Sequence, residues 1–370
     1  MNIPCGRQSI SEKDINAVEV VLESDFLTQG PKVLEFEKKL AKYCGAKYAV
    51  AVSHGTAALH LAYTVAGFKA GDEVITTPNT FVATANMVMA TGASPIFCDI
   101  RSDTYNIDEQ KIEKLINKKT KAIVPVHFAG QPCDMAVVKK IARKHNLLII
   151  EDACHALGAR YKNIKIGSCK HSDMAVFSFH PVKAITTGEG GTILTNNKKY
   201  YEKLLLLRNH GIYKDKTGKN VMVEFGYNYR LTDIQAALGI SQLKQLDLFI
   251  KKRRQIAEYY RHELKDVSAI IMPAEISGNY SAWHLYVIRV KEAKKREKLK
   301  QCLRKNNIGV NFHYPAVYSH PYYRENGYSN VRLKNTEEYQ KSCITIPCHT
   351  KLTKNNIKYI AKVIKEGLKI

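Results

Sequence analysis

Short apolar runs alternate with amphipathic segments through the first two-thirds of this 370-residue chain. The alternation predicts strands at 48–52, 73–76, 94–99, 122–126, 147–151, 174–178 and 191–195, and helices at 57–66, 80–91, 108–117 and 135–145. Strands that alternate with helices form largely parallel sheets of the α/β class. Because such sheets bind ligands beyond the carboxyl ends of their strands, polar residues that follow the strands are the first candidates for a site.

The last third of the chain has a different pattern. A long helical stretch is predicted at 232–263, followed by a strand at 283–290 and helices at 294–306 and 354–368. This order is typical of a smaller α+β unit. The length also fits two domains, so we predict a large domain at 1–245 and a small C-terminal domain at 246–370.

Cysteine spacing and hydropathy exclude several classes of protein. The nine cysteines form no CxxC pair, so we expect reduced thiols and no metal site. The longest apolar stretch, 49–68, is interrupted by polar residues, and the N-terminus lacks the apolar core of a signal peptide. We therefore predict a cytoplasmic protein with no membrane partner.

The formal net charge of +23 allows two interpretations. One is a polyanionic partner, which would make the chain a basic, nucleic-acid-binding regulator. The other is a lysine-rich solvated surface with a local anion site. The charges form no arm or tail, and no helix-turn-helix or zinc-finger pattern stands out. The second interpretation is favoured, with no nucleic-acid partner.

A single lysine stands in the loop between two predicted buried strands, 174–178 and 191–195. Lys183 follows a proline in this loop, where its amine is well placed to form an imine with a carbonyl cofactor. The alternative is an ordinary surface lysine, of which the chain has many. Taken alone, the loop favours an ordinary surface lysine.

Two acidic residues, Glu151 and Asp152, stand at the carboxyl end of the apolar strand predicted at 147–151. A buried carboxylate such as Asp152 needs a partner, and the pyridine nitrogen of pyridoxal 5'-phosphate (PLP) needs a carboxylate to stay protonated. The alternative is that Asp152 caps a following helix.

The segment 52–59 predicts a strand, a glycine turn and a helix start. Free N–H groups at such a helix start suit a phosphate group, although capping residues of this kind are common. The chain has no GxxxxGK[ST] loop, and residues 188–191 lack the GxGxxG spacing, so a nucleotide-binding Rossmann site has little support.

Taken together and in order, these segments resemble the DegT/DnrJ/StrS family of PLP-dependent sugar aminotransferases over nearly the whole chain. The segments that carry the resemblance are 26–31, 53–57, 77–84, 151–155, 177–183 and 226–233. The resemblance implies PLP fold-type I, a large domain with a mostly parallel sheet and a smaller C-terminal α+β domain. Relatives that use PLP for sugar deoxygenation have His in place of the lysine, and Lys183 argues against that activity.

The resemblance also implies roles for individual residues. Lys183 would hold the cofactor and move the proton, while Asp152 would pair with the ring nitrogen. Phe81 would stack on the ring, unless it is simply a core residue. Further cofactor contacts are implied at the phosphate for Thr56, Ala57 and Ser178, at the ring oxygen for His155, and at the phosphate of the neighbouring subunit for Asn228. The last contact would make the active sites a shared property of a homodimer.

Three segments, 179–183, 284–286 and 311–315, resemble the family members of pseudaminic acid biosynthesis. The resemblance implies amino transfer from L-glutamate to the C4 keto group of a UDP-linked 4-keto-6-deoxy-N-acetylhexose. Implied substrate contacts are Asp25, Phe26, Leu27, Thr28, Asn228, His313 and Tyr314. His313 and Tyr314 could instead be a structural pair at a strand end. Cys5 departs from the Tyr that relatives commonly have there, and another nucleotide-linked sugar with a C3 or C4 keto group stays open as substrate.

Overall fold

The computed structural model describes residues 2–369. Its strands are β1 (Tyr48–Val52), β2 (Glu73–Thr76), β3 (Ser94–Phe97), β4 (Thr120–Val124), β5 (Leu148–Asp152), β6 (Arg160–Tyr161), β7 (Ile164–Lys165), β8 (Met174–Ser178), β9 (Gly191–Thr195), β10 (Ile212–Lys214), β11 (Asn220–Met222), β12 (Ile270–Ile271), β13 (Asn279–Tyr280), β14 (Tyr286–Val290) and β15 (Cys343–Ile346). Its helices are α1 (Glu12–Leu22), α2 (Pro31–Cys44), α3 (Gly55–Val65), α4 (Ala83–Ala90), α5 (Glu109–Ile112), α6 (Met135–Lys144), α7 (Lys198–Arg208), α8 (Asp233–Leu243), α9 (Leu246–Leu264), α10 (Ala293–Lys305), α11 (Pro321–Tyr323), α12 (Lys334–Ser342) and α13 (Lys354–Lys369).

Seven strands form the central sheet in the order β1-β9-β8-β5-β4-β2-β3. All neighbours are parallel except β9, which runs antiparallel to both β1 and β8. The prediction of a largely parallel α/β sheet is confirmed, and the seven strand bounds differ from the predicted ones by at most two residues. Because β9 reverses the direction between β1 and β8, the carboxyl ends of β1, β8 and β5 meet at one edge.

Both faces of the sheet are covered. Successive side chains of a strand point to opposite faces of the sheet, so alternate residues of one strand pack in different cores. Ala49 and Ala51 of β1 pack in one core, and Val50 and Val52 pack in the other. Fully apolar strands are therefore needed, and this explains why the sequence shows continuous apolar runs.

A second, smaller core lies around the antiparallel sheet β12-β14-β15. Helix α9 takes part in both cores. Leu246 and Phe249 in its first turns pack against the central sheet, and Ile256 and Tyr260 further along pack in the small core. The start of α9 coincides with the predicted division at residue 245, and the division itself stays a prediction.

Two predicted elements were wrong in extent. The single helix at 232–263 is two helices, α8 and α9, because the backbone N–H of Gln245 bonds back to Gln242 and ends the first helix. The side-chain amides of Gln242 and Gln245 then bind Asp14 and Ser11 at the start of α1, which fixes this break.

The strand at 283–290 begins only at Tyr286. Trp283 has a φ of 46°, and the backbone N–H groups of His284 and Leu285 donate to the carbonyl of Ala129 instead of joining the sheet. This excursion brings His284 to the edge where β5 ends. Within residues 2–369, no helix is long and apolar enough to cross a membrane.

Candidate active site

The site lies at the edge where β1, β5 and β8 end. Asp152 is the last residue of β5, Ser178 is the last of β8, and Gly55 begins α3 three residues after β1. The sheet order thus brings together three segments that span more than 120 residues of the sequence, as the rule for ligand sites in parallel sheets predicts.

Asp152 is buried, and two groups of this chain hold its carboxylate in place. The hydroxyl of Thr84 donates to its Oδ2 at 2.7 Å, and the N–H of Cys154 donates to its Oδ1 at 3.1 Å. Residues 153–159 form turns, so the alternative that Asp152 caps a following helix is wrong. Each oxygen accepts one bond from this chain, which leaves the carboxylate able to accept another from a ligand.

Lys183 is partly buried in the loop between β8 and β9, where its backbone N–H closes a turn onto the carbonyl of His180 at 2.9 Å. Burial lowers the pKa of its amine, while Cys154 and Asp152 act in the opposite direction and raise it by less. A lysine with a lowered pKa is more often the neutral amine that attacks a carbonyl. This setting differs from that of a solvated surface lysine.

A backbone cradle lies between α3 and the end of β8. A Cβ atom at Gly55 would lie 2.9 Å from Cβ of Ser178, so only glycine leaves this space open. The N–H of Ala57 donates to Nδ1 of His54 at 2.9 Å. The first-turn N–H groups of Gly55 and Thr56 therefore lie better for an anion than that of Ala57, which was predicted to bind phosphate.

Histidines line the opposite side. His155 and His284 are both buried, with ring centroids 4.5 Å apart. Burial lowers the pKa of each well below the usual value, and the charge of Lys183 lowers both further. Burial also lowers the pKa of His313 to about 4. These rings are therefore neutral at physiological pH.

Two side chains predicted to contact the substrate belong to this side. Nδ1 of His313 lies 2.8 Å from Oγ1 of Thr345, and Oη of Tyr314 lies 3.2 Å from Nε2 of His155. The side chains of His313 and Tyr314 are thus both held by hydrogen bonds within the chain, as expected if they form a structural pair. Tyr314 is at the same time linked to a residue of the predicted cofactor site.

Phe81 is 58% exposed, and its ring centroid lies 6.3 Å from that of Tyr314. The alternative that Phe81 is a core residue is therefore wrong, and its ring is available for stacking. The thiol of Cys5 faces the carbonyl of Thr345, next to β14, at 3.8 Å, and burial raises its pKa to about 12.

The loop that contains Asp25, Phe26, Leu27 and Thr28 is exposed. It is fixed to the start of α8, because Thr28 pairs with Thr232 and the N–H of Asp233 donates to the carbonyl of Leu27.

Asn228 is also exposed, and its Oδ1 accepts from the N–H of Arg230 at 3.4 Å. Thr232 caps α8 by accepting from the N–H of Gln235, so Asn228 does not serve as the cap of this helix.

Sequence reasoning missed two residues of the site. Thr84 lies in a segment that carried the family resemblance, but its bond to Asp152 joins residues 68 positions apart. His284 lies in the segment 284–286 that carried part of the resemblance, but no role was predicted for it, because it reaches the site only through the left-handed turn at Trp283.

Comparisons with known proteins agree with this geometry. The sequence model of the DegT/DnrJ/EryC1/StrS aminotransferase family matches residues 8–365. A UDP-4-amino-4,6-dideoxy-N-acetyl-beta-L-altrosamine transaminase of Campylobacter jejuni is 40% identical over 363 residues, covering 97% of this chain and 95% of that protein.

Two solved structures are also similar. PseC of Helicobacter pylori, an aminotransferase involved in the biosynthesis of pseudoaminic acid, has a TM-score of 0.95 at 35% identity and covers 100% of both chains. Spr1654 of Streptococcus pneumoniae, in its PLP form, has a TM-score of 0.93 at 30% identity and covers 100% of this chain and 99% of that chain.

The fold and these matches define the protein as a PLP-dependent aminotransferase. More narrowly, the chain belongs to the DegT/DnrJ/EryC1/StrS aminotransferase family. The site fits the cofactor, since a carboxylate, an amine of lowered pKa and a cradle that a Cβ would fill meet at one edge. Among residues 2–369, no group of three His, Cys, Asp or Glu side chains could hold a metal ion.

Proposed function

We propose that this aminotransferase moves the amino group of L-glutamate onto the C4 keto group of a UDP-linked 4-keto-6-deoxy-N-acetylhexose, in pseudaminic acid biosynthesis. The observation that carries the proposal is the likeness over nearly the whole chain to the altrosamine transaminase and to PseC. The name of the first describes a 4-amino-4,6-dideoxy sugar linked to UDP, which is the product expected of this reaction.

When bound, PLP supplies a carbonyl that takes up an amino group and a ring that withdraws electrons. Lys183 would hold the cofactor and, when released, carry a proton away from the α-carbon of glutamate, for which its lowered pKa suits it. Asp152 would hold a proton at the ring nitrogen, with Thr84 and Cys154 orienting its carboxylate. Ser178 and the N–H groups of Gly55 and Thr56 would bind the phosphate.

The remaining site residues would bind the ring and the sugar. The exposed ring of Phe81 would stack on the cofactor, and His155 would lie near its ring oxygen. His313 and Tyr314 would contact the sugar from the small-domain side. The anionic diphosphate of UDP suits a chain of net charge +23, although charge alone does not select this substrate.

A substrate panel tests this function. Purified enzyme with glutamate would be assayed on UDP- and dTDP-linked 4-keto and 3-keto sugars, with amino sugar formation followed by mass. We expect the UDP-linked 4-keto N-acetyl sugar to have the highest kcat/KM. A clear preference for a dTDP-linked or 3-keto sugar would instead favour the alternative, an aminotransferase for another nucleotide-linked sugar. Since the chain belongs to an enzyme family, the regulator alternative is dropped.

We further propose that two chains form a homodimer with shared active sites. Asn228 would contact the phosphate of the neighbouring subunit, and the exposed loop 25–28, fixed beside it to the start of α8, would contact that subunit's sugar. The alternative is that Asn228 serves its own chain, since Tyr229 and Arg230 pair with Ser53 and Val52 near the cradle.

Complementation separates these alternatives. Inactive Lys183→Ala chains would be mixed with inactive Asn228→Asp chains, in which a negative charge opposes the phosphate. If sites are shared, each mixed dimer has one intact site. Random mixing makes half the dimers mixed, so activity should return to about a quarter of wild type. No recovery, with subunit exchange confirmed by two affinity tags, would contradict shared sites.

A further inference from the structure

The buried ring of His155 has a hydrogen-bond contact at each nitrogen. The backbone N–H of Ala129 donates to Nδ1 at 3.3 Å, and Oη of Tyr314 lies 3.2 Å from Nε2. The Ala129 N–H can only donate, because a backbone amide nitrogen carries a hydrogen and no free lone pair. Nδ1 must therefore be the acceptor nitrogen of the ring.

This contact fixes the position of the ring proton. A neutral imidazole has one acceptor and one N–H, so an accepting Nδ1 leaves the proton on Nε2. A doubly protonated ring would set its Nδ1–H against the Ala129 N–H. Burial and the charge of Lys183 lower the pKa of His155 and oppose that form as well. His155 is thus an Nε2–H donor facing Tyr314.

The direction of this bond determines what the Tyr314 hydroxyl can do. Since Nε2 of His155 donates, Oη of Tyr314 accepts, and its own proton must point elsewhere. The described residues offer this hydroxyl no second hydrogen-bond partner. Burial and the charge of Asp152 raise the pKa of Tyr314, so its hydroxyl stays protonated and lies within electrostatic reach of Asp152. The exposed ring of Phe81 lies on the same side.

We propose that Ala129, His155 and Tyr314 form a directional relay that makes the Tyr314 hydroxyl a hydrogen-bond donor to an oxygen atom bound in the site. The relay rests on the proposed function, which supplies two such oxygens: the ring oxygen of the cofactor and the keto oxygen of the sugar. Since the single N–H of His155 is donated to Tyr314, His155 would lie near the ring oxygen without bonding to it and would act as a positioning residue through Tyr314.

The first experiment removes only the donor. Tyr314→Phe would be compared with Tyr318→Phe, whose buried hydroxyl four residues along has no partner. A hydrogen bond of this kind is worth about tenfold in rate or affinity. If the acceptor is the cofactor, Tyr314→Phe should shift the absorbance of the bound cofactor and its pH dependence, with both half-reactions slowed. If the acceptor is the sugar, the spectrum and the glutamate half-reaction stay unchanged, and the sugar half-reaction alone falls about tenfold.

The second experiment tests the relay. His155→Gln retains an N–H donor and should lose less than His155→Leu. The double variant His155→Leu/Tyr314→Phe should fall no further than Tyr314→Phe alone, because both changes break the same bond. In the apoenzyme labelled with ¹⁵N-histidine, the signals absent from His155→Leu should be those of an unprotonated Nδ1 and a protonated Nε2, from pH 8 to pH 6.

Three results would overturn the relay. They are a protonated Nδ1 in His155, additive losses in the double variant, and a Tyr314→Phe enzyme that matches Tyr318→Phe in the spectrum and both half-reactions. The labelling and the glutamate half-reaction do not depend on the sugar. A failure of the proposed substrate in the panel would therefore be distinct from a failure of the relay.

Discussion

The two sides of the active site are built in different ways. The sheet side, formed by Gly55, Asp152, Ser178 and Lys183, lies at the ends of β1, β5 and β8 and carries the charged groups. The histidine side, formed by His284, His313 and Tyr314, comes from backbone that has left regular strands, and its rings are neutral. One side is positioned by the main hydrogen-bonded sheet, and the other by individual side-chain and turn contacts.

Under the proposed function, the residues that carry out the reaction and those that select the substrate are held in place by different parts of the fold. A carboxylate and an amine that act on the same cofactor must keep a fixed geometry, and a seven-stranded sheet provides it. Neutral histidines and a tyrosine can donate or accept hydrogen bonds without adding charge, which suits recognition of a sugar. We therefore expect changes on the sheet side to affect every substrate, and changes of His284 and His313 to affect stability and selectivity.

The largest effect is expected at Asp152. Asp152→Asn keeps the shape but removes the negative charge that we propose holds a proton at the ring nitrogen, so turnover should fall at least ~100-fold while PLP still binds. Steady-state kinetics and cofactor absorbance would measure both. Near-normal turnover would contradict the role.

Glu151→Gln is the matched control for Asp152→Asn. Glu151 is also buried at the end of β5, but its carboxylate faces Nε2 of His127 at 2.7 Å and the hydroxyl of Ser172, away from the site. We expect this variant to lose stability and keep most of its turnover. A loss as large as that of Asp152→Asn would move the role to Glu151.

A smaller effect is expected at Thr84, whose hydroxyl bonds to the carboxylate of Asp152 and to the hydroxyl of Thr80. Thr84→Val removes one charge-assisted hydrogen bond, so turnover should fall by about tenfold. Thr76→Val is the control, because it removes a similar buried hydroxyl bond, to the carbonyl of Val124, at a distance from the site. Equal turnover of the two variants would show that Thr84 does not act through Asp152.

The smallest effect concerns the histidine side and is one of stability. The folded-state pKa of His284 is lowered, so the unfolded chain binds more protons below the ordinary pKa of about 6.5, and stability falls as pH falls. Each such histidine adds a slope of up to ~1.4 kcal/mol per pH unit. Urea unfolding of His284→Leu from pH 7.5 to pH 5 should show a shallower slope than wild type.

His262→Gln is the control for this slope. The side chain of His262 is 76% exposed and stays solvated in the folded chain, so His262→Gln should unfold with the wild-type slope. If His284→Leu keeps the wild-type slope, then His284 is not a buried neutral histidine, and the contrast between the two sides of the site is lost.

The same contrast explains what could be predicted from sequence. Asp152 and Ser178 end apolar strands and Lys183 follows one, and burial on both faces makes such strands visible as continuous apolar runs. The position of His284 depends on the left-handed backbone of Trp283, and the break between α8 and α9 depends on bonds from Gln242 and Gln245 to α1. These are long-range contacts that local patterns do not contain.

The central claim is that Lys183 is the residue that binds the cofactor. Holoenzyme would be reduced with borohydride, digested and mapped by mass spectrometry, with Lys183→Ala and Lys198→Ala measured in parallel. Lys198 is an exposed lysine, 73% accessible in its side chain, at the start of α7. We predict a pyridoxyl group on Lys183 alone, no stable adduct or turnover in Lys183→Ala, and normal behaviour of Lys198→Ala. A pyridoxyl group on another lysine, or turnover that survives in Lys183→Ala, would contradict the account.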